Sequence, residues 1–319
     1  MSGLVLHIWI ALALDFLIGD PRWLPHPVRI IGRTAKMLER PVRRALLNQR
    51  FAGIVVAATV IAGTGLATWG LLTVARSVSS LLGDLVAIWI LYTVFATKDL
   101  SIHSRAVLGA LEKDDLMQAR HAVSRMVGRD TGTLDESGVV RAAVESVAEN
   151  TVDGILSPLF YAILFGPMGA IVYKAVNTLD STFGYRNERY LHFGWASARI
   201  DDAANYVPAR ISLLFVLIGA LLSGFRPRTA LRVGLRDARR HISPNAGYPE
   251  AAFAGALGVQ LGGALLRNGR PGATQLLGDP VNPLERRHIH KANTLMFATT
   301  MAAALIMCGT RSLLEVAMQ

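Results

Sequence analysis

Residues Phe51–Ala75 read FAGIVVAATVIAGTGLATWGLLTVA, 25 consecutive positions without a charged side chain. At about 1.5 Å of rise per helical residue, this stretch outruns the roughly 30 Å hydrocarbon core of a bilayer. Inside lipid every backbone N–H and C=O must be satisfied within the segment, which a helix achieves alone and a single strand does not. Further apolar runs lie on both sides. Leu85–Thr97 extends back to Leu81 across Asp84. Leu4–Ile18 is shorter and contains His7 and Asp15; no small-residue cleavage site follows, so it reads as an uncleaved first helix. Gly154–Val176 is long enough to span but is interrupted by Pro158 and by Gly166-Pro167-Met168-Gly169. Ile211–Phe225, extendable over Tyr206–Ala209, and Ala292–Gly309 complete the set, while the Gly- and Ala-rich Ala251–Leu266 reads either as a buried helix or as a re-entrant piece. The fold expected is all-α: a polytopic α-helical integral membrane protein with cytoplasmic amphipathic helices.

Composition agrees. Only 18% of the 319 residues are charged and 52% are hydrophobic, against about 25% charged in soluble domains. A disordered chain, a collagen and a small disulfide scaffold are excluded. The net charge of +10 comes from basic residues set beside apolar runs, which in a membrane protein reports orientation and lipid contact. Aromatic residues do not interleave with them as in a nucleic-acid groove, so no nucleic-acid partner is expected. The single cysteine, Cys308, excludes an intrachain disulfide and a cysteine zinc site.

Residues 19–50 carry eight Lys or Arg against two acids. Val28, Ile31, Ala35, Leu38 and Val42 recur at helical spacing beside Arg29, Arg33, Lys36, Arg40 and Arg43, a basic amphipathic helix suited to an anionic membrane face. In 226–242 the stripe Leu231, Leu235, Ala238 and Ile242 runs beside Arg232, Arg236, Arg239 and Arg240. The positive-inside rule puts 19–50 and 226–291 in the cytoplasm, and 98–153, two crossings away from 19–50, joins them. Residues 1–319 thus read as a single membrane domain with a cytoplasmic helical insertion at about 98–153 and a basic cytoplasmic segment at about 226–291. Within the insertion, helices are expected over 99–111 and 114–127, with a third after Thr133, where Thr133-Leu134-Asp135-Glu136 fits a capping box.

The chemistry-bearing residues fall into clusters. Arg141, Glu145, Glu149 and Asp153 are each four apart, one polar stripe on a helix running into the apolar segment at Gly154. Oxygen ligands at that spacing suit Mg²⁺ with bound phosphate; an intrahelical ion-pair ladder on a solvated face fits the periodicity equally well. Asn177, Asp180 and Ser181 share a face ahead of Gly184-Tyr185. Asp201-Asp202 precede Asn205 and Arg210 at the mouth of a hydrophobic run, either an interior polar site or a helix cap. Asp237 leads into a loop with His241, Ser243-Pro244-Asn245, Gly247 and Glu250, where His241 serves as a base, a phosphate donor or only a helix terminus. Asp15, Gly19-Asp20-Pro21 and His26-Pro27 form a fifth group, at least a turn. No phosphate-binding glycine loop of the familiar kinds is present.

Taken in order, these stretches resemble the cobalamin-biosynthesis CobD/CbiB family, the adenosylcobinamide-phosphate synthases. The residues that carry the likeness are Asp15-Phe-Leu-Ile-Gly19-Asp20-Pro21 with His26-Pro27-Val28; Arg141-Ala-Ala-Val-Glu145-Ser-Val-Ala-Glu149-Asn150-Thr-Val-Asp153-Gly; Asn177-Thr-Leu-Asp180-Ser-Thr-Phe-Gly184-Tyr185; Asp201-Asp202-Ala-Ala-Asn205-Tyr-Val-Pro208-Ala-Arg210; and Ser243-Pro-Asn245-Ala-Gly247-Tyr-Pro249-Glu250. The resemblance implies a multipass enzyme of the inner cell membrane, with its active site on the cytoplasmic side. Such an enzyme condenses adenosylcobyric acid with aminopropanol or its O-phosphate into an amide, driven by ATP and Mg²⁺, without a tightly bound organic cofactor. Expected partners are the corrinoid, the amine, the bilayer, and a second copy or other corrinoid-pathway enzymes. On this view Glu145, Glu149 and Asp153 hold the metal; Arg141, Asn150, Asn177, Tyr185, Asn205, Arg210, Asn245 and Glu250 bind substrate or nucleotide; and Asp180, Asp201, Asp202 and His241 are the catalytic candidates. Cytoplasmic substrates require Asp153 and Asn177 to meet. A straight helix between them would hold them roughly 33 Å apart, whereas a hairpin at Gly166-Pro167 would bring them together. A transporter, with broken helices and buried carboxylates along its pathway, and a non-catalytic membrane regulator of the same fold are the competing classes.

Overall fold

The long apolar helix begins where its sequence supplies a cap: Asn48 Oδ1 accepts the N–H groups of Arg50 and Phe51 at 3.0 and 3.1 Å. The computed structural model describes residues 3–21, 23, 26–185, 187–267 and 269–318. In chain order its helices are α1 (Gly3–Ile18), α2 (Pro27–Ala45), α3 (Gln49–Val78), α4 (Ser80–Val94), α5 (Thr97–Glu112), α6 (Leu116–Val123), α7 (Glu136–Thr151), α8 (Ser157–Phe183), α9 (Trp195–Ala204), α10 (Tyr206–Leu222), α11 (Pro227–Asp237), α12 (Gly247–Leu257) and α13 (Arg287–Ala317). A π-helical turn, Val152–Leu156, joins α7 to α8, and the strands β1 (Leu261–Arg267) and β2 (Arg270–Leu277) pair antiparallel. The chain is 76% helical, which makes it all-α. Four stretches are long and apolar enough to cross a membrane: Gln49–Val78, Ser80–Glu112, Glu136–Phe183 and Arg287–Ala317, with Trp195–Ala204 plus Tyr206–Leu222 as a possible fifth. It is a multipass membrane protein.

The chain divides into two compact units. The first comprises 1–96, 157–205 and 307–319. Here α3 packs against α2, α4, α8 and α9, and Gly53 approaches so closely that an added Cβ would lie 1.9 Å from the carbonyl oxygen of Phe193. The basic amphipathic helix forms as expected: in α2, Ile31 and Ala35 are buried while Arg33, Lys36 and Arg40 are exposed. Glu39 is also buried, and Arg189 (2.9 Å) and Arg43 (3.2 Å) neutralise it. Arg43 lies 4.1 Å from the centroid of the Phe193 ring.

Within α8, Gly166 adopts φ +66° and ψ −158°, a combination open essentially to glycine alone. The chain reverses there. Tyr161 and Tyr173 stack with centroids 5.1 Å apart, although twelve residues of straight helix would separate them by about 18 Å. The hairpin form of this segment, rather than the straight one, is therefore the structure, and Glu136–Phe183 is long and apolar without being one uninterrupted rod.

The second unit comprises 97–156 and 206–306. Three local expectations are corrected here. First, α7 is capped not by Thr133 but by Asp135, whose Oδ1 accepts the N–H of Gly138 at 2.8 Å; the backbone N–H of Leu134 is already bonded to Thr131, so the turn precedes the helix. Second, α6 is eight residues long rather than spanning 114–127. Third, Ala251–Leu266 is a buried helix only as far as Leu257. Helix α12 ends at Leu257, and β1 begins with a register irregularity at Gly262, whose φ of +80° no helix allows. Of the stripe in 226–242, Leu231 and Leu235 of α11 and Ile242 beyond it are exposed while Ala238 is buried, and the buried face of α11 is Ala230, Val233, Gly234 and Asp237. Gly234 sits against Leu213 of α10 and Ala252 of α12, so the small residues make the helix contact and leave the leucines free.

Candidate functional site

The second unit encloses a cavity of about 180 Å³ under the β-hairpin. Three carboxylates line it: Glu145 and Glu149 from α7 and Glu250 from α12, together with Arg129, Ser146 and His241; Leu265 and Thr274 come from the two strands. The i, i+4 spacing of α7 works as expected up to Glu149. Asp153, however, lies in the π-helical turn, whose wider winding takes it off the row, and it is absent from the lining.

Arg141 and Glu145, one turn apart, grip the same residue of β1. Arg141 Nη1 donates to the carbonyl of Gly262 at 2.8 Å, and Glu145 Oε1 accepts the N–H of Gly262 at 2.7 Å. The other oxygen of Glu145 is paired with Arg129. Asp130 ties down the far end of the hairpin: its N–H donates to the Leu266 carbonyl at 3.0 Å and its Oδ2 accepts the N–H of Gly269 at 2.7 Å. Asn150 turns back along its own helix to the Ser146 carbonyl at 2.9 Å, and Ser146 Oγ donates to the Met126 carbonyl at 3.0 Å.

On the opposite wall Glu250 is 6% exposed. Burial, reinforced by Glu145 and Glu149 and opposed by Arg129, raises its carboxyl well above the ordinary range. His241 Nε2 lies 3.8 Å from Glu250 Oε1. The N–H of Ser243 donates to His241 Nδ1 at 3.1 Å, which places the proton of the neutral ring on Nε2, and burial lowers the imidazole pKa. His241 therefore meets Glu250 as a donor rather than as a ready base. Arg210 and Asn245 are not in the cavity lining; Arg210 Nη1 donates to Asn245 Oδ1 at 3.2 Å, and its guanidinium lies between the rings of Tyr206 (3.4 Å) and Tyr248 (4.7 Å).

The other expected residues belong to the first unit. Asn205, 1% exposed, is the hub there. Its Oδ1 accepts from Ser157 Oγ at 2.6 Å and from Tyr173 Oη at 2.9 Å, and its Nδ2 donates to Asp201 Oδ2 at 3.0 Å. Asn177 also faces Asp201 and accepts from Lys174 Nζ at 3.3 Å. Asp202 pairs with Arg199 at 3.6 Å. Asp180 lies over Gly184, where an added Cβ would meet its carboxylate at 1.9 Å, and Tyr185 is 44% exposed. Asp20 holds His26 (3.4 Å) and Arg29 (3.1 Å), making the fifth group a pinned turn.

Sequence reading passed over Arg129. Its only local signal was a Gly128-Arg129-Asp130 loop ahead of α7. The metal set also changes: both oxygens of Glu145 are engaged, Asp153 is off the row, and among the described residues no three His, Cys, Asp or Glu side chains form a group that could hold an ion. Glu145, Glu149 and Asp153 do not fit a preformed Mg²⁺ site.

A multipass helical protein with a small acid-lined cavity in a helical unit is thus defined by its own geometry. A family described as CobD/Cbib protein matches residues 8–296. The cobalamin biosynthesis protein CobD of Geobacter metallireducens is 46% identical over 306 residues, covering 96% of each chain. That of Leptospira interrogans serogroup Icterohaemorrhagiae serovar copenhageni is 43% identical, covering 92% of this chain and 93% of its own. The cobalamin biosynthesis protein CbiB of Salmonella typhimurium is 44% identical, covering 94% and 96%. No solved structure matches. The chain belongs to the CobD/CbiB family.

Proposed function

We propose that this chain acts in cobalamin biosynthesis as an amide-forming ligase, joining a propionate carboxylate of adenosylcobyric acid to aminopropanol or its O-phosphate to give adenosylcobinamide or its phosphate. The observation that carries this reading is the cavity of Glu145, Glu149 and Glu250: it is assembled from two of the stretches that carry the resemblance to the family, and Glu149 lines it with a carboxylate of the kind that takes a proton from an amine nucleophile. A carboxylate does not react with an amine until it is activated. In the proposed sequence its oxygen attacks a phosphorus of ATP, a P–O bond of the triphosphate breaks to release ADP or pyrophosphate, and the mixed anhydride is left; the amine then attacks the carbonyl, a proton leaves the nitrogen, and phosphate or AMP departs with the former carboxylate oxygen. Glu149 takes that proton, and His241 Nε2 faces the carboxyl of Glu250. Mg²⁺ in this reading arrives on the phosphates rather than on a waiting carboxylate triad, and Arg210, between its two tyrosine rings, is a candidate contact for a phosphate or a flat ring. Asp180, Asp201 and Asp202 take no part in this sequence, since Asn205 ties Asp201 into the α8 hairpin. Our reading puts the reaction at the inner membrane, facing the cytoplasm; the exposed Leu231, Leu235 and Ile242 among arginines support it, as an apolar stripe with a basic face suits a lipid surface.

The test is purified protein in detergent with adenosylcobyric acid, aminopropanol phosphate and Mg-ATP, read by mass spectrometry. The amide is the expected product. Its absence, with each substrate recovered intact, rejects the reading. Turnover without a sealed vesicle also separates an enzyme from a transporter.

A further inference from the structure

Helix α2 carries a single acid, Glu39, and the fold turns it inward, where Arg43 and Arg189 pair with it. Arg29, near the start of the helix, is paired with Asp20. The four remaining cations, Arg33, Lys36, Arg40 and Arg44, are all exposed, and none has an ion-pair or hydrogen-bond partner among the described residues. At 3.6 residues per turn they fall within about 80° of the helix circumference and extend along about 16 Å of its length. Ile30 and Met37, 56% and 75% exposed, occupy about the next 40° of arc. The outer face is a row of unpaired cations bordered by bare apolar side chains, and no carboxylate of the helix lies on it.

Each row narrows the partner. Guanidinium and ammonium groups without a partner suit phosphate oxygens. The apolar row disfavours an occupant that is polar throughout, because a nucleic-acid backbone or a free phosphate would leave Ile30 and Met37 facing water. Only residues 46–48 separate α2 from α3, which is long and apolar enough to cross a membrane, so the face ends beside the point where the chain enters lipid. An anionic phospholipid presents both chemistries in one molecule, phosphate oxygens above acyl carbons. A zwitterionic lipid has the same phosphate but brings its own ammonium to compete for it. We propose that the outer face of α2 binds anionic phospholipid, with Arg33, Lys36, Arg40 and Arg44 on the headgroups and Ile30 and Met37 among the upper acyl carbons. Glu39 has a part in this arrangement: paired inward, it ties the helix to the protein and leaves the outer face purely basic. The site is independent of the amide-forming chemistry.

The experiment uses the full chain with Cys308→Ser and an environment-sensitive fluorophore on Met37→Cys, placed in bilayers of one fixed mixture of phosphatidylcholine and phosphatidylglycerol. Bromine atoms, which quench the fluorophore, are carried on the upper acyl chains of one lipid or of the other. Brominated phosphatidylglycerol is expected to quench more per molecule than brominated phosphatidylcholine, and the excess should shrink at high salt. A fluorophore on Leu66→Cys, at a 68% exposed position of α3, should be quenched by both lipids without preference. Arg33→Gln with Arg40→Gln should lower the relative affinity for phosphatidylglycerol at position 37 by at least about fivefold, the share of one cation at an anionic surface. Lys36→Gln with Arg44→Gln is an independent pair that should do the same, and unchanged quenching at Leu66→Cys verifies that each variant is folded and inserted. Equal quenching by the two lipids at position 37, or a preference unchanged in both pairs, overturns the assignment. So does the absence of quenching by either lipid, which would turn this face to water and give it to a soluble acidic partner. A preference abolished by excess inorganic phosphate also overturns it, giving the row of cations to a free anion.

Discussion

Asn205 is the residue whose replacement should cost the first unit most. Asn205→Leu keeps nearly the same volume and deletes every polar atom of the hub. Ser157 Oγ and Tyr173 Oη lose their acceptor, and Asp201 Oδ2 loses its amide donor. Ser157 is fully buried and Tyr173 is 2% exposed, so water does not replace what is lost. Each stranded partner costs about 1–3 kcal/mol. Because the three share one hub their costs are not additive, and a total of about 3–6 kcal/mol is expected. The assay is denaturant unfolding of the purified protein in detergent, with Tyr173→Phe as the second arm of a double-mutant cycle. Tyr173→Phe alone should cost about 1 kcal/mol. In the double variant that cost should largely vanish, because the hydroxyl has already lost its acceptor. An Asn205→Leu protein within about 0.5 kcal/mol of wild type, or strictly additive costs, would refute the hub.

Other outcomes follow from the same geometry. Gly53→Ala drives a methyl group into the Phe193 carbonyl, 1.9 Å from the ideal Cβ, and should destabilise by about 1–3 kcal/mol, whereas Gly63→Ala, with nothing within 4 Å, should be nearly silent in the same melt. Glu145→Ala leaves Arg129 buried without its partner, at a cost of about 3–5 kcal/mol, and frees Gly262; hydrogen exchange over 261–277 should rise, and unchanged protection there contradicts the grip. For Glu250 the sign is set by its raised pKa. The native state keeps a proton that the unfolded chain releases near the ordinary glutamate value of 4.5, so wild-type stability falls as pH climbs above that value towards the native pKa. Glu250→Gln lacks this slope, and its advantage in Tm should be smallest in acid and grow towards neutrality; a gap that narrows instead contradicts the burial. Cysteines replacing Tyr161 and Tyr173, in a Cys308→Ser background, should be joined by a short bifunctional maleimide, since the rings stack at 5.1 Å; a straight helix would leave them uncrosslinked.

The membrane fold was legible because it rests on length and charge alone: the run from Phe51 to Ala75 permits no other solution. The reversal inside α8 was legible only as a choice, since Gly166-Pro167 permits either a kink or a turn, and contacts from Tyr161, Tyr173 and Asn205 decide it. The α7 stripe was readable to Glu149 and failed at Asp153 because a π-helical turn changes the period that the reading assumed. Periodicity found the basic amphipathic pattern of 226–242, whose Leu231, Leu235 and Ile242 stay exposed, but not the small-residue face that α11 buries, which Ala238 of the same stripe joins. In a helix contact built on close approach, Gly234 and Ala230 outcompete Leu231 and Leu235. Arg129 escaped notice because its partner is sixteen residues away, across a loop and a turn of helix, and the hairpin escaped because its grip on α7 is a pairing of distant backbone with side chain.

The contact between Ser157 and Asn205 has a topological consequence. These residues open and close the excursion 157–205, and their side chains touch at 2.6 Å. The polypeptide therefore departs and comes home through a single doorway. A loop closed at its own base by one hydrogen bond can gain or lose residues in between while its two ends stay where they are.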